Sequence, residues 1–181
     1  MSCNCSGSCC CPDINGEDTV CDCCIAPMQD ILTQLIGRTV RIGTTDTSSG
    51  DFPSAVIQSV NDFIAIIRQG ANTYALPICH VTGVEGGIAV RDLVLIPPNS
   101  DEGKGECFCC ERPTREFFDS IISAAQVDTI GPAFNNVSNV TVLDTGVGIV
   151  KLRPTMGGSQ NFYALSTCKI VSIRNFVFTN D

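Results

Sequence analysis

The chain has 181 residues, 44% of them apolar and 17% charged, and carries a net charge of -8 from 11 basic and 19 acidic side chains. That length suits one ordinary domain or two small ones, and the apolar content argues for a folded chain rather than a disordered one. The acidic balance provides no basic surface to neutralise phosphates, which excludes nucleic acid as a partner, and the longest apolar runs, Ile64 to Ile67 and Leu93 to Pro98, fall far short of the about 20 residues of a membrane span.

Residues 1–20 read as a cysteine-rich tail bearing Cys3, Cys5, Cys9, Cys10 and Cys11. Its start, Met1-Ser2-Cys3-Asn4-Cys5, has neither a cationic stretch nor an apolar run, so no secretory signal peptide is expected. The chain has thirteen cysteines. An odd total leaves at least one thiol free, bound to a metal or paired with another chain.

The first unit, residues 21–96, opens on Cys21, Cys23, Cys24 and Pro27. Ile31, Leu32, Leu35 and Ile36 then form the stripe of a short amphipathic helix, started by the proline and stopped at Gly37. Thr39 to Gly43, Ala55 to Val60, Phe63 to Arg68, Thr73 to Leu76 and Ile78 to Val84 follow as short β runs between turn signals. Pro97 to Glu106 is polar and breaker-rich and marks a linker, 97–106.

The second unit, residues 107–181, repeats the first. Cys107, Cys109, Cys110 and Pro113 stand 86 residues beyond Cys21, Cys23, Cys24 and Pro27, and Phe117, Phe118, Ile121 and Ile122 extend the match. Tyr163-Ala164-Leu165 and Cys168 stand 89 residues beyond Tyr74-Ala75-Leu76 and Cys79. Between them Ile64 to Arg68 aligns with Val147 to Lys151, which puts the extra residues of the second copy in the loop around Arg153 to Gly158. The expected fold is mainly β: two tandem small β-barrels, each preceded by a short helix, because closure removes exposed sheet edges.

In an extended segment Cys23 and Cys24 point to opposite faces, so each needs its own partner. Cys21, Cys23 and Cys24, Cys107, Cys109 and Cys110, and the tail cysteines therefore form nodes able to cross-link the two units or neighbouring chains. Metal is the alternative. Cys21, Cys24, Cys107 and Cys110 have the spacing of one four-thiolate zinc or copper site joining the copies; otherwise no cofactor is expected. Cys79 and Cys168 read as buried, structural thiols, and His80 as a solvated neighbour of Cys79 rather than its catalytic partner. Asp144-Thr145-Gly146, although it resembles an aspartic-protease motif, reads as a turn. No enzyme is expected.

Around Leu35 to Ile42, Ala55 to Ile64 and Tyr74 to Val84 the sequence resembles a small Sm-like, SH3-like β-barrel domain of the kind found in proteins of endospore-forming bacteria. The tail and the cysteine clusters resemble cysteine-rich spore coat and exosporium proteins. That resemblance implies a self-assembling structural protein of a spore surface layer, built as a layer or filament; the alternatives are a soft-metal thiolate-binding protein and an Sm-like ligand-binding or regulatory module. The structural protein's partners would be itself and other surface-layer proteins, joined by intermolecular disulfides, and it would be assembled from the mother-cell cytoplasm.

Overall fold

The computed structural model describes residues 21–98, 107, 111–155 and 161–179. A single π-helical turn, Cys21–Ile25, leads into α1 (Ala26–Gln34), whose first turn holds Pro27. Met28, Ile31, Leu32 and Leu35 are 0–1% exposed, the i, i+3, i+4, i+7 face of a helix laid on a sheet. Met28 extends the expected stripe, whereas Ile36 lies outside it at 43% exposure. In the second half α3 (Arg112–Asp119) takes the same place and buries Phe118. There the helix stops short, and Ile121 and Ile122 begin a strand instead of extending the stripe.

The first half continues with β1 (Thr39–Thr44), β2 (Asp51–Asn61), β3 (Ile64–Gln69), β4 (Asn72–Pro77) and β5 (Val81–Gly86), followed by the short α2 (Ile88–Arg91). The second half has β6 (Ile121–Thr129), β7 (Val137–Gly146), β8 (Ile149–Pro154), β9 (Phe162–Ser166) and β10 (Ile170–Phe178). Alternation drives the strands: Val40 and Ile42, Ala55 and Ile57, and Ala65 and Ile67 are buried while their neighbours face outward.

All ten strands form one antiparallel sheet in the order β10-β6-β7-β8-β9-β5-β1-β2-β3-β4. Each half keeps the internal order fifth, first, second, third, fourth, and the halves join where β9 pairs with β5, Leu165 opposite Gly83 and Phe162 opposite Gly86. Among the described residues no ladder closes either half on itself, so hydrogen bonding draws one open sheet where two closed barrels were expected. The long strands mark a corner in each half. β2 pairs with β1 up to Val56 and with β3 from Val56 onward, with a register shift between Ile57 and Ser59. β7 changes partner in the same way, with its shift between Val142 and Asp144.

The duplication holds at the level of single bonds. Ile78 N donates to Phe63 O and Thr167 N to Gly148 O, while Thr45 N donates to His80 O and Ile130 N to Lys169 O. Ladder registers match too: Ile42 faces Val84 as Val127 faces Ile173. They also correct the alignment of the third strands, because Ile67 opposite Tyr74 corresponds to Leu152 opposite Tyr163. Ile64 therefore matches Ile149, two residues beyond Val147.

The halves are pressed closely together. A Cβ on Gly43 of β1 would lie 2.7 Å from the Phe134 ring, which the β6–β7 loop inserts against the first half. Leu95 and Ile96, just before the expected linker, lie against Gly146 at the end of β7, and Ile96 O accepts Val147 N. No helix among the described residues is long and apolar enough to cross a membrane.

Candidate functional site: a disulfide node between the halves

The cysteines preceding α1 sit at the seam. Cys23 is bonded to Cys107, 84 residues away, with Cα atoms 5.7 Å apart. Cys24 is bonded to Cys168, 144 residues away, with Cα atoms 5.8 Å apart. Both bonds run from the first half to the second. Adjacent cysteines do take separate partners, but for a different reason from the one the sequence suggests: the segment is helical, and the two sulfurs lie side by side, 3.8 Å apart. Cys23, Cys24 and Cys107 are 3–6% exposed, and Cys168 is half-buried. In the chain-entropy picture each such long loop contributes about 4 to 5 kcal/mol when closed alone.

Local structure explains how Cys168 gets there. Thr167–Lys169 is a 3-10 turn between β9 and β10, and Ile78–His80 is its counterpart between β4 and β5. Cys79 and Cys168 therefore lie in tight turns and not in strands, and both are disulfide-bonded rather than free thiols. The side chain that pairs with Cys79 lies outside the described residues.

A buried ion pair braces the second half of the node. Glu111 and Arg115 meet at 3.1 Å with side chains 1% and 5% exposed. Glu111 also accepts hydrogen bonds from Gly148 N at 3.0 Å and Thr167 Oγ1 at 3.3 Å. It thereby ties the start of α3 to the β7–β8 turn and to the turn that carries Cys168. Burial pushes the Glu111 carboxyl above its usual range, against the pull of Gly148, Arg115 and Thr167. In the first half Gln29 does the corresponding work, its Oε1 accepting Phe63 N at 2.8 Å. Gly148, the counterpart of Phe63, passes so close to the node that a Cβ there would strike Cys23 O.

Of the sequence-expected cross-linking residues, Cys23, Cys24 and Cys107 are brought together. Cys3, Cys5, Cys9, Cys10, Cys11, Cys109 and Cys110, and the side chain of Cys21, lie outside the described residues. Of the alternative four-thiolate set Cys21, Cys24, Cys107 and Cys110, Cys24 and Cys107 are each held in a disulfide, and the side chains of Cys21 and Cys110 lie outside the described residues. His80 is exposed, with Nδ1 3.0 Å from Thr45 Oγ1. Asp144, Thr145 and Gly146 are not the expected turn: they are the last residues of β7, laddered with Lys151, Val150 and Ile149, and the turn is at Val147 and Gly148; Asp144 also forms an ion pair with Lys151 at 3.1 Å. Sequence reasoning missed Glu111, whose position in the first copy is the apolar Ile25 and so carries no repeat signal. It also missed Cys168 as a partner of the node, although the exact repeat of Cys79 at Cys168 was a visible cue.

An open cleft of about 380 Å³ lies beside the β5–β9 seam, lined by Arg41, Glu85 and Asn161 among others. Arg41 binds Asp51 through two 2.8 Å bonds and Glu85 at 3.1 Å, so its charge is already matched. The molecule is thus a duplicated antiparallel β protein whose halves are stapled by buried disulfides. No family model matches the chain, and no curated protein and no solved structure matches it.

Proposed function

We propose that the chain is a self-associating structural subunit of a surface layer, its contacts fixed by disulfides, with a bacterial spore coat or exosporium as the setting. In this reading each half is a small Sm-like barrel module, which the strand order and the partner change in β2 and β7 support.

The observation that carries the reading is the seam itself. β9 adds to the edge of β5, and the same two kinds of edge, a fourth strand (β4) and a fifth strand (β10), end the sheet among the described residues. β10 is long and leaves Val171, Val177 and Phe178 54–61% exposed. Such an edge is a template for strand addition unless something covers it. A second copy supplies the complementary edge, and the tail cysteines would convert the contact into a covalent one. A node of two disulfides joining distant parts of the chain suits a protein selected for persistence.

Sedimentation of the full chain, with and without reductant, tests this. Expected are high-mass species that reductant disperses, and an at least tenfold higher concentration for assembly in a Val171→Lys/Val177→Lys variant. An oxidised chain that stays monomeric at all concentrations overturns the reading.

A further inference from the structure

The two disulfides of the node adjoin. The sulfurs of Cys23, Cys24 and Cys168 all lie within 4.8 Å of one another, and the sulfur of Cys107 is bonded to that of Cys23 at the edge of this group. Zinc binds thiolate at about 2.3 Å, so a tetrahedral site has sulfur–sulfur edges of about 3.8 Å. The Cys23 and Cys24 sulfurs already stand 3.8 Å apart.

We propose that reduction of both disulfides turns this node into a four-thiolate site for a tetrahedral divalent ion of zinc's class, held by Cys23, Cys24, Cys107 and Cys168. The set shares Cys24 and Cys107 with the one the spacing suggests, and it takes Cys23 and Cys168 from the fold. Four features favour it. The four ligands come from three separate segments, already fixed by α1, α3 and the 3-10 turn at Thr167–Lys169. Three of the sulfurs already converge, and the fourth, on Cys107, starts one bond from Cys23 and joins them by side-chain rotation once that bond is reduced. Cys23, Cys24 and Cys107 are buried and Cys168 is half-buried, so thiolates there gain more from a cation than from water. The first turns of α1 and α3 follow close behind the ligands and favour negative charge at their N-termini.

The chemistry balances with a phosphine as reductant. Each disulfide takes two electrons from phosphorus, and water supplies the oxygen of the phosphine oxide and the two protons of the new thiols. Four thiols then release four protons as one divalent ion binds, leaving a centre of net charge 2-. The inference does not depend on self-association and stands or falls separately from it.

The test uses the full chain, reduced anaerobically with a phosphine, and cobalt(II) as the probe. Expected is one equivalent of cobalt with the intense visible bands of tetrahedral thiolate coordination, displaced by zinc. A Cys24→Ser/Cys168→Ser variant should lose one equivalent, whereas Cys3→Ser/Cys5→Ser should retain it. Alkylation of the cobalt-loaded wild-type chain, read by mass, guards against a variant that fails to fold: Cys23, Cys24, Cys107 and Cys168 should be protected. Equal alkylation of those four with and without metal, no cobalt bands in the reduced chain, or an unchanged equivalent in the Cys24/Cys168 variant overturns the proposal.

Discussion

Gly148 and Phe63 occupy the same position in the two copies, the second residue of a two-residue hairpin turn, and both have positive φ, 72° and 61°. Such turns demand left-handed residues, which suit glycine and cost other residues roughly 1–2 kcal/mol. The copies are therefore not equally tolerant. Gly148→Ala should destabilise the protein by at least about 2 kcal/mol in denaturant unfolding, because the left-handed conformation is penalised and the added carbon collides with Cys23 O. Phe63→Gly should leave stability unchanged or raise it by about 1 kcal/mol. Its ring is 38% exposed, and the backbone bond to Gln29 survives the change. A loss of more than about 1 kcal/mol would mean that the Phe63 ring contributes packing outweighing its backbone strain.

Among the elements, β6 and β10 carry a polar cluster centred on Asp128, whose counterpart in the first copy is Gly43. Asp128 accepts hydrogen bonds from Ser172 at 2.5 Å, Gln126 at 2.6 Å and Arg174 at 2.9 Å. Burial alone would raise the Asp128 carboxyl, but these three partners together hold it below the usual carboxylate range. A carboxyl depressed in the folded state adds stability above its unfolded pKa of about 4, and that stability is lost as pH falls through the folded value. Asp128→Asn should therefore flatten the acid limb of a stability-versus-pH curve measured by thermal unfolding, and a limb as steep as the wild type's would assign the acid sensitivity elsewhere. The first copy has Gly43 at the equivalent of Asp128, with Phe134 seated on it, so at that one position an apolar contact replaces the carboxylate. How legible these elements were depended on what defines each. Helix stripes, strand runs and the copied segments follow from periodicity and turn residues, which are local and survive in one sequence. The two-residue offset in the third strands did not show, because gaps inside loops leave no trace in apolar spacing and only ladder partners fix register. The 3-10 turns at Cys79 and Cys168 were read as strand because a three-residue turn between two β runs has no period of its own.

For the molecule as a whole, the disulfides decide what the two halves are to each other. Without them the seam rests on non-covalent contacts, among them the four residue pairs of β5 with β9, the loop bearing Phe134, the bond from Val147 N to Ile96 O and that from Lys151 Nζ to Leu93 O. Cys24→Ser/Cys168→Ser should cost about 2–5 kcal/mol in oxidised protein. A cost under about 1 kcal/mol would mean that the reduced chain already holds its halves together in the unfolded reference. Which cysteines join was beyond the sequence, since many pairings satisfy the same spacing and a partner 144 residues away is set by topology alone. That the cysteines belong to a copied unit was plain from the matched motif, and so was the mainly β character. The continuous sheet was not, because whether a fifth strand turns back on its own unit or meets the next depends on contacts that both units share.

The Cys24–Cys168 bond also determines how the molecule bears load. Tension applied between the N-terminal tail and the C-terminal strand crosses from residue 24 to residue 168 through one covalent bond and never reaches most of the sheet. The bypassed segment amounts to roughly 490 Å of extended chain. In single-molecule stretching the oxidised protein should yield almost none of that length and the reduced protein nearly all of it. A subunit wired in this way transmits force as an inextensible link, and a reducing environment would turn the same link into a long, yielding tether.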